Sequence, residues 1–273
     1  MESQEAGGRE RSTGWPILYG MCYSDKALPP LPPISGAASD HGDLRLKSED
    51  GAELMAYAAR SANPTGRGMV ILPDVRGLFP FYKELAVRFA EAGFEAIALD
   101  YFARTAKTDD RSESFEFMPH VQQTKPEQIA ADVRACIDYL KTPDGGRPGA
   151  VFTVGFCFGG ATSWRQSANN PDLAGCIGFY GGKPLERVGP WIPQMRLPIL
   201  MLLAGVDSTT PEEFAEFAER VRATGVEVES HAYPGAPHSF FDRTFEEHKE
   251  ACDDAWRRIL DFTERYSQVA GRV

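Results

Sequence analysis

Val151-Phe152-Thr153-Val154-Gly155-Phe156-Cys157-Phe158-Gly159-Gly160 is the stretch whose reading decides the fold. Its first four residues belong to a strand expected over 150–154 and buried on both faces. A Gly-x-Cys-x-Gly turn follows, and a helix is expected from 158 to about 169. Strand, tight turn and helix together make the nucleophile-elbow pattern, with cysteine where serine is more usual. The glycines have a steric task, because side chains at 155 and 159 would meet neighbouring backbone while the central residue is held in a strained conformation. Such a turn lifts the Cys157 sulfur above the sheet, at a helix N-terminus whose unpaired N–H groups and dipole favour a thiolate. It also aims the N–H of Phe158 at the place a tetrahedral oxyanion would occupy.

On either side of the elbow the chain alternates. Runs at 43–47 and 53–59 read as an opening β-hairpin turned by Asp50-Gly51. The apolar run 68–72, a helix over 81–92 stopped by Gly93, and a strand at 94–99 come next. Beyond them lie a helix at 126–141 begun by Pro126, strands at 175–180, 198–204 and 226–233, a helix at 211–224, and a final helix at 244–266. This order implies an α/β fold: a mostly parallel sheet of about eight strands with helices on both faces. Residues 1–43, rich in Pro, Gly and Ser, read as a largely irregular extension, draped over the domain through Trp15, Pro16, Ile17 and Leu18 or serving as a lid or oligomer contact. The domain itself is expected over 44–273.

An elbow nucleophile draws its acid and its histidine from later strand ends, in that order. Of five histidines, His41 and His120 precede the elbow, His231 falls in a strand and His248 on the last helix. His238, in Pro234-Gly235-Ala236-Pro237-His238-Ser239-Phe240, follows the last strand and is the candidate base. Asp207 ends the strand at 198–204 and is the candidate orienting acid; an N-cap role is its competitor, although Thr209 or Thr210 could cap that helix instead. Asp242 lies near His238 in sequence, but near neighbours on a loop rarely meet in the required geometry.

Composition narrows the remaining classes. A formal net charge of −10 argues against nucleic acid as a partner, while leaving room for a small anion held by a few arginines. Five cysteines with no CxxC pair read as free thiols in a reducing, cytoplasmic setting. No apolar run is long enough for a transmembrane helix, the first fourteen residues lack the apolar stretch of a signal peptide, and no metal-ligand spacing or phosphate-binding glycine loop is present.

With Gly155-Phe156-Cys157-Phe158-Gly159-Gly160, Gly205-Val206-Asp207 and Gly235-Ala236-Pro237-His238-Ser239-Phe240 in hand, residues 44–266 resemble the dienelactone hydrolase family of the α/β-hydrolase superfamily. Leu72-Pro73-Asp74-Val75-Arg76-Gly77 and Asp100-Tyr101-Phe102-Ala103-Arg104 support the resemblance. It implies hydrolysis of an ester or lactone of the dienelactone (carboxymethylenebutenolide) type to maleylacetate, by a Cys157–His238–Asp207 mechanism without a cofactor. It further implies a second oxyanion N–H from Val75 and a carboxylate-binding Arg104. Two departures concern the substrate. Asp74 stands where the family has a gating Glu, and Arg243 follows His238 by five residues where the family's second arginine follows by four; Arg76 is a rival anion ligand. Other readings are a family member acting on a different ester or lactone, and a non-catalytic ligand-binding module on the same fold.

Overall fold

In the computed structural model of the chain, residues 26–34, 36–242 and 244–270 are described. Eight strands form one sheet in the order β1-β2-β4-β3-β5-β6-β7-β8. Strands β1 (Ala38–Lys47) and β2 (Glu53–Ser61) are the expected hairpin. Gly51 takes the positive φ, 87°, that its turn needs. β2 pairs antiparallel with β4 (Phe94–Leu99). From β4 onward every pairing is parallel, through β3 (Arg67–Leu72), β5 (Ala150–Phe156), β6 (Gly175–Phe179), β7 (Ile199–Val206) and β8 (Val228–Pro237).

Parallel strands need covered faces, and two apolar cores supply the cover. Helices α1 (Pro80–Glu91) and α7 (Lys249–Ala270) bury Phe81, Leu85, Phe89, Trp256 and Phe262 against one face. Helices α3 (Pro126–Leu140), α4 (Phe158–Asn169) and α6 (Pro211–Arg222) bury Ile129, Val133, Trp164, Phe214 and Phe217 against the other. Two short helices, α2 (Met118–Val121) and α5 (Pro184–Arg187), and a 3₁₀ turn at Gly189–Gln194 fill loops that the sequence pattern left open. Each has a proline at its first or second position, where a missing N–H costs nothing.

Several boundaries differ from expectation. β1 begins at Ala38, inside the segment read as irregular, because Ala38 to Asp43 pair with Tyr57 to Ser61 along an exposed edge. Such an edge strand needs no apolar alternation, so its sequence carries no strand signal. β8 runs on to Pro237 through a stretch read as a loop. The last helix starts at Lys249, since residues 244–248 form successive turns. Trp15 to Leu18 lie outside the described residues. Ahead of β1, Pro29 and Pro30 are buried, and Trp256 of α7 donates its indole N–H to the Pro30 carbonyl at 3.2 Å.

One topological fact places the site. From β3 the chain moves to β4 on one side and then returns to β5 on the other. Ligands of open parallel sheets bind at such a switch point, outside the strands' carboxyl ends. The loop after β3 and the elbow after β5 meet there.

Candidate active site

The elbow has the geometry its glycines imply. Cys157 sits at φ 55° and ψ −113°, a region that costs a non-glycine residue on the order of 1–3 kcal/mol. Its N–H is tied to the Phe179 carbonyl of β6 at 3.1 Å, which helps to hold the strained turn. A Cβ on Gly155 would lie 1.9 Å from the Gly159 carbonyl oxygen. One on Gly159 would lie 2.1 Å and 2.3 Å from the carbonyl oxygens of Leu72 and Pro73. Glycine at 159 therefore lets the first turn of α4 press against the end of β3. Cys157 is only partly buried, whereas Cys136, Cys176 and Cys252 are buried. Burial pushes the thiol pKa of Cys176 and Cys252 up to about 12, and that of Cys136 well above its usual value. Cys22 lies outside the described residues.

Asp207 and His238 are brought together by strand pairing. The last pair between β7 and β8 is Val206 with Pro237, so the next residue on each strand is one of these two. The His238 N–H bonds the Val206 carbonyl at 3.1 Å, and Nδ1 lies 2.8 Å from Asp207 Oδ2. A register shift between Ala204 and Val206 makes the meeting possible. Gly205 accommodates it, since a Cβ there would lie 2.2 Å from the Tyr233 carbonyl oxygen. The other oxygen of Asp207 accepts the N–H groups of Ser208 at 2.6 Å and Thr209 at 3.4 Å. The cap of α6 is Thr210, whose Oγ1 accepts the Glu213 N–H at 3.2 Å. Asp207 is thus left to the histidine.

The electrostatics follow from these contacts. Burial disfavours a charged imidazole at His238, but hydrogen bonding and charge from Asp207 and Cys157 outweigh it, and the pKa is pushed up to about 10. For Asp207, burial works against ionisation, and the His238 contact with the Ser208 and Thr209 N–H groups still holds its pKa below the usual carboxylate value. Nε2 of His238 is buried on the side of Cys157, which stands near enough to raise the imidazole's pKa. Asp242 turns elsewhere, accepting the Tyr180 hydroxyl at 3.1 Å. The Tyr180 ring lies 4.8 Å from the His238 ring, so it buttresses the imidazole from a position that no sequence signal marked.

Phe158 is the first residue of α4, where an N–H has no acceptor within the helix. Val75 lies in the turn after β3, and among the described residues its N–H donates to no backbone carbonyl. Asp74 is fully buried, and its Oδ1 accepts the Arg76 N–H at 2.8 Å, shaping the turn that carries Val75. The Arg76 guanidinium lies over the Phe79 ring, 3.5 Å from its centroid.

Arg104 is placed against its expected role. It grips Asp132 through two nitrogens at 2.8 Å each, and Asp50 at 2.7 Å and 3.0 Å. The Asp132 side chain is wholly buried, so this fork ties α3 to the β1–β2 turn and commits four of the five guanidinium N–H groups to the protein. Arg243 lies outside the described residues. Two arginines that the sequence did not mark come into view here. Arg187, at the end of α5, lies within electrostatic reach of Cys157. Arg165 on α4 is buried and reaches the Arg187 carbonyl at 3.5 Å. Burial lowers the pKa of both, that of Arg165 to about 10.

Comparison with known proteins identifies the family. The sequence profile of the dienelactone hydrolase family matches residues 54–267. The chain belongs to that family. A relative from Yersinia pestis, provisionally assigned as a carboxymethylenebutenolidase, is 27% identical over 234 residues, covering 81% of this chain and 86% of its own. Protein usf of Aquifex pyrophilus is 27% identical over 232 residues, covering 82% and 99%. Among solved structures, a provisionally assigned dienelactone hydrolase from Klebsiella pneumoniae superposes with a TM-score of 0.70 at 24% identity, over 83% of this chain and 99% of that one. Family membership makes the chain a hydrolase of ester or lactone bonds on an α/β-hydrolase fold. No helix among the described residues is long and apolar enough to cross a membrane, and no group of three or more described side chains could hold a metal ion.

Proposed function

We propose that this dienelactone hydrolase family member cleaves its ester or lactone through a covalent thioester on Cys157, with His238 and Asp207 as partners. The reading is carried by the 2.8 Å contact between His238 Nδ1 and Asp207 Oδ2, which leaves a buried Nε2 beside the only partly exposed thiol of the described set. The Cys157 thiolate attacks the carbonyl carbon, and the oxyanion forms against the N–H groups of Phe158 and Val75. Collapse expels the alkoxide, which takes the proton on His238 Nε2. Water then loses a proton to His238 as it attacks the thioester, releasing the acid and restoring the thiolate. Asp207 keeps the imidazole in one tautomer and stabilises its charge.

A thiolate is itself a good leaving group, so the first addition reverses unless the departing alkoxide is stabilised. Enol esters and lactones meet that condition, as in a carboxymethylenebutenolide, and we take that type as the substrate. Its carboxylate fits Arg187, backed by Arg165, rather than Arg104. The test is a panel of dienelactones, neutral lactones and aryl esters with the wild type, Cys157→Ala and Cys157→Ser. The Ala variant is expected to lose turnover throughout and the Ser variant to keep a weak remainder. Equal activity in the Ala variant would overturn the mechanism.

A further inference from the structure

Three strand ends meet at the switch point, and one side chain touches two of them from the third. Tyr101 follows Asp100 just beyond β4 and is 4% exposed. Its hydroxyl donates to the Pro73 carbonyl at 2.7 Å, two residues before Val75. Its ring packs edge-on against Phe158, with centroids 5.3 Å apart and planes at 84°. The Pro73 oxygen is also one of the two carbonyl oxygens that a side chain at Gly159 would strike, at 2.3 Å. It therefore sits between the Tyr101 hydroxyl on one side and the first turn of α4 on the other.

We propose that Tyr101 is a positioning residue for the oxyanion site, fixing the spacing between the N–H groups of Val75 and Phe158 by holding Pro73 through its hydroxyl and Phe158 through its ring. The inference rests on the reading of Cys157 as the nucleophile. β4 and β5 both flank β3, so the tyrosine spans the end of the strand that carries one donor to reach the residue that carries the other. Burial, with Asp74 and Asp100 near, drives the phenol pKa well above its usual value, so the hydroxyl remains a donor at every working pH. Donors must meet the developing oxyanion at about 2.7–3.1 Å, and losing one outright costs about 10²–10³ in kcat. Loosening one without removing it should cost a fraction of that.

The experiment compares two reactions of the same sulfur. Ester turnover builds an oxyanion, whereas alkylation of Cys157 by iodoacetamide is a displacement at carbon that builds none. Tyr101→Phe, which keeps the ring and drops the hydroxyl, is expected to lower kcat about 10- to 30-fold with KM nearly unchanged, leaving the alkylation rate and its pH profile as in the wild type. Tyr101→Leu, which also loses the ring contact, should fall further in kcat. Affinity for a trifluoromethyl ketone, which forms a tetrahedral adduct with a thiolate, should drop in proportion to kcat. A Tyr101→Phe variant with wild-type kcat would overturn the proposal, as would a parallel fall in kcat and alkylation, which would mean general damage to the site. Failure of the nucleophile reading looks different: the Cys157→Ala variant of otherwise unaltered protein would then retain turnover.

Discussion

Replacing Asp207 with Asn keeps the shape of the acid and removes its charge, which exposes how His238 holds its proton. The imidazole pKa stands at about 10 against an ordinary 6.5. At ~1.4 kcal/mol per pH unit, that rise is ~5 kcal/mol in favour of imidazolium. Burial opposes the charge, so Asp207 and Cys157 together supply more than the net figure. Losing the Asp207 charge and its hydrogen bond should therefore bring the imidazole pKa down toward its ordinary value. The sign is that of a raised pKa: the charged form is fully favoured below pH 6.5 and is lost as pH climbs through about 10. For an enol lactone, whose departing enolate takes the imidazolium proton, kcat/KM in the wild type should fall on its alkaline side near pH 10. In Asp207→Asn that fall should move toward neutrality, and kcat at the optimum should drop by about 10³–10⁴, because an amide can stabilise the wrong tautomer. The assay is turnover of one enol lactone from pH 5 to 11, with folding checked by circular dichroism at each end. An Asn variant whose profile still turns near pH 10 would refute the assignment of Asp207 as the group that holds the proton.

Arg104→Ala should lower stability by about 3–5 kcal/mol, read by urea denaturation, because it strands the buried Asp132 carboxylate; its preference for carboxylate-bearing over neutral esters should match the wild type. Arg187→Gln should do the reverse, losing that preference through a raised KM for the anionic ester while stability changes little. A selective KM effect in the Arg104 variant would restore that residue as the anion ligand. Cys157→Gly should be inactive yet more stable by about 1 kcal/mol or more, since glycine accepts the φ of 55° at no steric cost. For a chain of this size that is a rise in Tm of roughly 2–4 °C by scanning calorimetry, and an unchanged or lower Tm would mean that the elbow stores little strain.

What the sequence disclosed was local. The elbow could be read because Gly155 and Gly159 answer contacts within a few residues and at one neighbouring loop. The hairpin at Asp50-Gly51 and the alternation of strands with helices are likewise short-range patterns. Chain order was enough to single out Asp207 and His238, and their meeting follows from the pairing of Val206 with Pro237. Arg104 shows the limit. An arginine beside a strand end looks the same whether it awaits a ligand or an internal carboxylate, and its partners Asp50 and Asp132 lie 54 and 28 residues away. Tyr101, Tyr180, Arg165 and Arg187 escaped notice for the same reason, since each matters through a contact across the sheet's end. The polar start of β1 was missed because an edge strand facing water need not alternate.

The hydrogen bond between Trp256 and Pro30 fastens the amino-terminal approach to the closing helix. Because α7 also covers the sheet face beneath Phe152 and Phe179, trimming residues ahead of β1 would reach beyond the cut. It would strand an indole donor in the apolar interior and loosen α7, so the segment around Pro30 and this helix should open to a protease as one unit.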